Sequence, residues 1–145
     1  HPVESHLIPI ILETALGLRL NLELFGSDYD TKDGSCVRDY IHVSDLATAH
    51  IKALDHIEQP QNRVYNLGMG HGYSNIEVLE AARKVTGMSI PSTFGPRRPG
   101  APPILIAKAD RARTELGWTP NHREIEPIVE SAWRWKVKYP KGYVD

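Results

Sequence analysis

Val37-Arg38-Asp39-Tyr40-Ile41-His42-Val43-Ser44-Asp45-Leu46-Ala47 joins two kinds of local structure, with an arginine at the join. Val37, Tyr40, Ile41 and Val43 are β-branched or aromatic and follow the turn-forming pair Asp33-Gly34, which predicts a short strand. Ser44 offers a side-chain oxygen to the free amides of the next turn, and Asp45 puts negative charge at the positive end of a helix. A helix is therefore predicted from Asp45 to Ile57, with Leu46, His50, Ala53, Leu54 and Ile57 recurring at three- and four-residue spacing on a mostly apolar inward face that His50 edges. Arg38, taken alone, reads as a surface ion-pair partner of Asp39 or Asp45.

Strand and helix patterns alternate on both sides of this run. Upstream, His6 to Leu16 has helical periodicity on Leu7, Ile8, Ile11, Leu12 and Ala15, with Pro9 tolerated in the first turn and Gly17 as the stop. Leu20 to Phe25 alternates apolar and polar residues like a half-buried strand, and Ser27 to Ser35 is a turn-rich loop. Downstream, Pro60-Gln61-Asn62 marks a connection before a compact strand over Val64 to Leu67. Ser74 and Glu77 have capping-box spacing at the start of a helix whose buried stripe is Ile76, Leu79, Ala82 and Val85, ending at Gly87. Ile90 to Phe94 suggests another strand, and Gly95 to Pro103 is a proline-stiffened loop carrying Arg97 and Arg98. Asp110 caps a short helix to Leu116, closed by Gly117, and Ile125 to Tyr139 is a last helix with Ile128, Val129, Ala132 and Trp133 inward. With no internal repeat or flexible linker, this order predicts one α/β unit.

At 145 residues the chain can bury a real core, and its net charge of −1 with no basic stripe gives no electrostatic basis for binding nucleic acid. Apolar runs such as Leu7 to Leu12 are too short to cross a bilayer, and no charged leader precedes an apolar signal segment. The expectation is a soluble, cytoplasmic protein. Cys36 is the only cysteine, which excludes intrachain disulfides and fits a reducing compartment; its strand-like neighbours make it a packed residue rather than a catalytic thiol. The opening His1-Pro2-Val3-Glu4 lacks an initiator methionine, and a helical pattern follows almost at once, so the chain reads as part of a longer protein.

Gly68-Met69-Gly70-His71-Gly72 sits between a predicted strand and helix, the context of a dinucleotide fingerprint. It fails that test: Tyr73 occupies the third glycine position, and no acidic residue ends the next predicted strand to hold a ribose. The simpler reading is a tight turn that needs glycine freedom. His42, His50 and His56 do not share one helical face, so no metal site is expected. No Gly-x-Ser-x-Gly elbow occurs, and Trp133 and Trp135 read as core and rim packing. Arg38 and Arg98 remain. Two guanidinium forks from separate segments suit a diphosphate if the fold brings them together.

Several segments together resemble the carboxyl-terminal part of UDP-glucose 4-epimerases, members of the NAD-dependent epimerase/dehydratase family and of the extended short-chain dehydrogenase/reductase group. They are Ser5-His6-Leu7-Ile8-Pro9, the loop from Phe25 to Gly34, the opening run, Tyr65-Asn66-Leu67-Gly68, Pro96-Arg97-Arg98-Pro99-Gly100, Glu115-Leu116-Gly117-Trp118 and Trp133-Arg134-Trp135 with Gly142-Tyr143. The resemblance implies that residues 1–145 are the substrate-binding carboxyl-terminal portion of an extended Rossmann-type fold, with a late strand of the nucleotide fold near residues 64–67 and the amino-terminal NAD-binding region lying outside the chain. It implies UDP-glucose and UDP-galactose as ligands. Arg38 and Arg98 would take the diphosphate; Glu23, Leu24 and Phe25 would present backbone groups to the uracil, with Phe25 packing near it. His6 and Leu7 would line the nucleotide site, with Tyr40 supporting it and Asn75 at its periphery.

Two departures stand out against that pattern. Relatives often carry asparagine at the position of His6, and an aspartate that accepts ribose hydroxyls where this chain has Ala101, a loss expected to cost roughly 1–3 kcal/mol of UDP affinity. Leu105 aligns with a position that gates bulk near the sugar. The Tyr-x-x-x-Lys pair that removes the C4 hydroxyl proton, while NAD takes the hydride, does not occur here. No catalytic residue is therefore expected in the chain, and no NAD binding by the chain alone. A related nucleotide-sugar dehydratase or decarboxylase sharing the Arg38 motif is the nearest rival reading. A non-catalytic nucleotide-sugar or protein-binding module is another.

Overall fold

In chain order the elements are α1 (Leu7–Ala15), β1 (Leu22–Phe25), β2 (Val37–Arg38), α2 (Val43–Leu54), β3 (Tyr73–Ser74), α3 (Asn75–Thr86), β4 (Ser92–Gly95), β5 (Ile104–Leu105), α4 (Asp110–Leu116) and α5 (Ile125–Lys138). They come from a computed structural model that describes residues 4–56 and 63–142. The expected α/β class holds, with strands gathered into two small sheets. β1 pairs in parallel with β4, and β2 lies between an antiparallel β3 and a parallel β5. Arg38 is thus held in a central strand, opposite Tyr73 on one side and Leu105 on the other.

Two apolar clusters support these sheets. The larger joins α1, β1, α3 and α5 through Ile11, Leu22, Val78 and Val129, all at or near complete burial. Glu13 of α1 fastens the layer by receiving Arg19 at 2.7 Å and Lys136 of α5 at 3.0 Å. The smaller cluster packs Ala49 of α2 against Ala112 and Leu116 of α4, around a fully buried Trp118. Trp118 Nε1 donates to the Asp45 carbonyl at 2.9 Å, so the indole is satisfied as well as packed.

Local signals located most elements to within one or two residues. The alternation over β1 is real, with Leu22 and Leu24 buried and Glu23 exposed, although the strand starts after the exposed Leu20. α3 has the full capping box of Ser74 and Glu77 and ends at Gly87 in the left-handed conformation; Leu79 and Ala82 are buried as predicted, and Ile76 and Val85 only partly. α5 ends at Lys138, one residue short of expectation.

Four expectations are corrected. β2 covers only Val37–Arg38, because the Asp39 side chain turns to a neighbouring loop and no ladder continues through Tyr40 and Ile41. α2 is capped by His42 rather than Ser44: the imidazole Nδ1 accepts from the Ser44 amide at 3.1 Å, and the helix begins at Val43. Its inward face is centred on Asp45 and Ala49, with Ala53 packed against the smaller cluster as predicted, whereas Leu54 faces solvent together with His50, Val43 and Ile51; Ile57 lies outside the described residues. Val64 to Leu67 stands apart from these four: it has no ladder partner among the described residues, and a strand there needs one from another segment. Asp110 is the first residue of α4 rather than its cap, a place taken by Ala109. The connection at Pro60-Gln61-Asn62 and Tyr143 also fall outside the described residues. Among the described residues no helix is long and apolar enough to cross a membrane, and no group of three or more His, Cys, Asp or Glu side chains is placed to hold a metal.

Candidate functional site

A cavity of about 410 Å³ opens between the start of α1, the edge of β1, the end of β2 and the loop after β4. All nine residues anticipated for ligand binding line it. His6 and Leu7 contribute from the head of α1, Glu23, Leu24 and Phe25 from β1, and Arg38 and Tyr40 from β2 and the residues after it. Asn75 enters from the start of α3 and Arg98 from the proline-rich loop, with Ala101 beside it. Leu105 is not among the lining residues; it is exposed and pairs with Arg38 in the sheet.

The two arginines differ from the other guanidinium groups nearby. Arg97 is neutralised by Asp28 at 2.6 Å and covers the Tyr29 ring at 4.5 Å from its centroid. That hydrogen bond raises the Arg97 pKa and lowers that of Asp28. Arg98 instead lies over the Phe25 ring at 4.2 Å, and Arg38 Nη1 donates to the Val37 carbonyl at 2.7 Å. Among the described residues neither has a carboxylate partner, so the surface ion pair of Arg38 with Asp39 or Asp45 does not form. Both acids serve other donors. Two guanidinium groups that line one cavity without a carboxylate partner among the described residues suit an anion with several acceptor oxygens.

β1 contributes backbone as well as side chains. It pairs only with β4 among the described residues, so its other edge lacks a ladder partner where the strand lines the cavity. Beyond Arg38, Tyr40 places its hydroxyl 3.5 Å from Asn75 Oδ1; burial pushes its pKa up to about 12, with the Arg38 charge opposing in part. The Asn75 amide donates to the Cys36 carbonyl at 3.0 Å. Asp33 fixes that corner by accepting from the Ser35 amide at 2.9 Å and from the Ser74 hydroxyl. Burial pushes the Asp33 carboxyl up, but these bonds outweigh it and hold its pKa below the usual value.

Sequence reasoning missed Tyr29 as a wall of this cavity, and placed Cys36 only as a packed residue; Cys36 is buried and also lines the wall. Tyr29 is held by Gly26, whose φ of +83° admits no side chain without strain, and any Cβ there would strike the Tyr29 ring. That Gly-x-x-Tyr spacing was the available signal. His6 is oriented by Glu4, whose carboxylate meets the imidazole Nδ1 at 2.7 Å.

The glycine-rich turn behaves as a tight turn and not as a phosphate cradle. Met69 donates its amide to Asp39 Oδ1 at 2.9 Å and Gly70 donates to Oδ2 at 3.4 Å. A Cβ on Gly68 would collide with Asp39 Oδ2 and lie 2.8 Å from the Ala107 Cβ. Gly68→Ala is expected to lower stability by about 1–3 kcal/mol by overpacking, measurable by urea unfolding.

Residues 1–68 match the NAD dependent epimerase/dehydratase family. The whole chain is 51% identical to the UDP-glucose 4-epimerase of Lacticaseibacillus casei over 146 aligned positions, and 51% identical to that of Lactobacillus helveticus. It spans 44% of the length of each. Among solved structures, a UDP-glucose 4-epimerase superimposes with a TM-score of 0.94 at 44% identity, covering 100% of this chain and 44% of that one. The Bifidobacterium longum UDP-glucose 4-epimerase in complex with NAD+ and UDP gives 0.92 at 42% identity, covering 97% of this chain and 42% of that one. Along its whole length the chain is similar in sequence and in fold to a carboxyl-terminal part of these enzymes, and its first 68 residues match the NAD dependent epimerase/dehydratase family.

Proposed function

We propose that this chain is the UDP-sugar-binding, carboxyl-terminal part of a UDP-glucose 4-epimerase, the enzyme that interconverts UDP-galactose and UDP-glucose through a 4-keto intermediate. The observation that carries the reading is the pair Arg38 and Arg98, two guanidinium groups that line one cavity and have no carboxylate partner among the described residues. In the proposal they clamp the diphosphate, and the free edge of β1 over Glu23 to Phe25 hydrogen-bonds the uracil. Phe25 packs against the base, His6 and Leu7 close the nucleotide end, and Tyr40 and Asn75 support the wall beyond Arg38. A relative crystallised with UDP supports the same ligand class.

The described residues do not fit NAD. The glycine turn most like a dinucleotide loop has two of its amides committed to Asp39, so the NAD site is assigned to the part of the protein outside this chain. The solvent-facing stripe Val43, Ile51 and Leu54 of α2, with exposed Val64, is the surface assigned to receive that part. Val64 to Leu67 would then gain a ladder partner and become the late strand of the nucleotide fold. A cytoplasmic setting completes the proposal and fits the single thiol of Cys36.

The chemistry left to this chain is to bind and orient the nucleotide, so that the sugar projects from a fixed diphosphate. Proton and hydride transfer belong elsewhere, since no Tyr-x-x-x-Lys pair is present. Incubated with NAD and UDP-galactose, the chain is expected to form no UDP-glucose by coupled assay; turnover would overthrow this division of labour. Ala101→Asp restores a ribose acceptor beside Arg98 and is expected to tighten UDP binding at least about fivefold by calorimetry. Unchanged affinity would remove Ala101 from the ribose subsite.

A further inference from the structure

Arg38 and Tyr40 both face the cavity, yet the ladder that holds β2 stops at Arg38. Something else must fix the backbone between them. The residue between is Asp39, and its carboxylate points away from the cavity into a ring of amides. Oδ1 accepts from Met69 at 2.9 Å; Oδ2 accepts from Gly70 at 3.4 Å and from Ala107 at 3.3 Å. Successive side chains on an extended chain face opposite ways, so a grip on Asp39 sets the direction of its two neighbours. The grip itself is braced. Gly68 leaves no room for a side chain against the carboxylate, and Arg113 Nη2 donates to the Met69 carbonyl at 3.2 Å, holding the turn in place. Ala107 follows β5, which pairs with Arg38 through Leu105, so one carboxylate ties the glycine turn and the β5 exit to the strand that bears the arginine.

We infer that Asp39 is a positioning residue for the diphosphate clamp: bound in this nest of three amides, it aims Arg38 and Tyr40 into the cavity without touching the ligand. The inference rests on the proposed UDP-sugar site. A carboxylate in a backbone nest is a strong, directional anchor, and a guanidinium aimed even slightly wrong loses paired bonding to phosphate.

Calorimetry of the chain with UDP and with uridine, in wild type, Asp39→Ala and Asp39→Asn, tests this. In Asp39→Ala, UDP affinity is expected to fall about tenfold or more while uridine affinity stays within about twofold, because the base end rests on β1. Asp39→Asn keeps one acceptor for Met69 and should recover part of the loss, and it serves as the folded variant if Asp39→Ala does not fold. Equal losses for UDP and uridine, or unchanged UDP affinity in either folded variant, would overturn the inference. NMR relaxation of Arg38 Nε in ligand-free protein separates this from the site reading. A side chain loosened in the variants supports the anchor even if wild type binds no UDP, a result that would sink the site alone; unchanged Arg38 order sinks the anchor.

Discussion

Asp45→Ala is expected to lower the unfolding free energy by about 3–5 kcal/mol, the range for removing one partner of a buried charged network. Asp45 is fully buried in the first turn of α2. Its carboxylate accepts from the amides of Asn121 at 3.0 Å and His122 at 2.9 Å, and meets the His122 imidazole at 3.1 Å. Its own carbonyl receives Trp118. Alanine would leave the part-buried amides of Asn121 and His122 without their acceptor, while the Trp118 bond to the backbone carbonyl would remain. Urea unfolding followed by Trp fluorescence reads the loss, and a change below about 1 kcal/mol would mean that water replaces the carboxylate at little cost.

The same residue predicts the acid limb of stability. Burial pushes the Asp45 carboxyl up, but hydrogen bonds from His122 and Asn121 outweigh it, so the folded pKa lies below the unfolded value of about 3.9. A depressed carboxyl stabilises the fold above that unfolded value, and the contribution is lost as pH falls through the lower, folded pKa. Asp33 behaves alike. Asp45→Asn should therefore be less stable than wild type at neutral pH and show a shallower decline below about pH 4.

The double variant Arg38→Ala/Arg98→Ala is expected to weaken UDP binding by about a hundredfold or more, since a hydrogen-bonded charge contributes roughly 1.5–3 kcal/mol and two are removed. The effect should exceed that of Arg97→Ala, because Arg97 is already spent on Asp28 and Tyr29. Both single variants should also flatten the dependence of UDP affinity on salt. Stability should change little, as Arg38 and Arg98 make no ion pair among the described residues that their loss would break.

The sequence shows what is local and hides what depends on distant partners. The capping box at Ser74, the glycine stop at Gly87 and the alternation of Leu22 and Leu24 are short-range patterns, and all appear in the fold. The face of α2 was misphased because its anchor is polar and remote: Asp45 is buried by partners 76 and 77 positions away, while Leu54 is left in solvent. β3 and β5 have two residues each, too few to show a period. At the site, residue chemistry singled out Arg38 and Arg98, and the family resemblance supplied the rest. No spacing rule joins positions 6, 24, 38, 75 and 98; only tertiary contact brings them to one cavity. That Arg97 and not Arg98 would be consumed by Asp28 was likewise invisible.

One titration addresses the central claim most directly: UDP into wild type and into Arg38→Ala/Arg98→Ala, by calorimetry at fixed low salt. Saturable one-to-one binding by wild type, weakened about a hundredfold or more in a variant that still unfolds cooperatively, is the predicted result. Wild type that binds no UDP, or a folded double variant that binds it equally well, would contradict the assignment of this cavity to a nucleotide diphosphate.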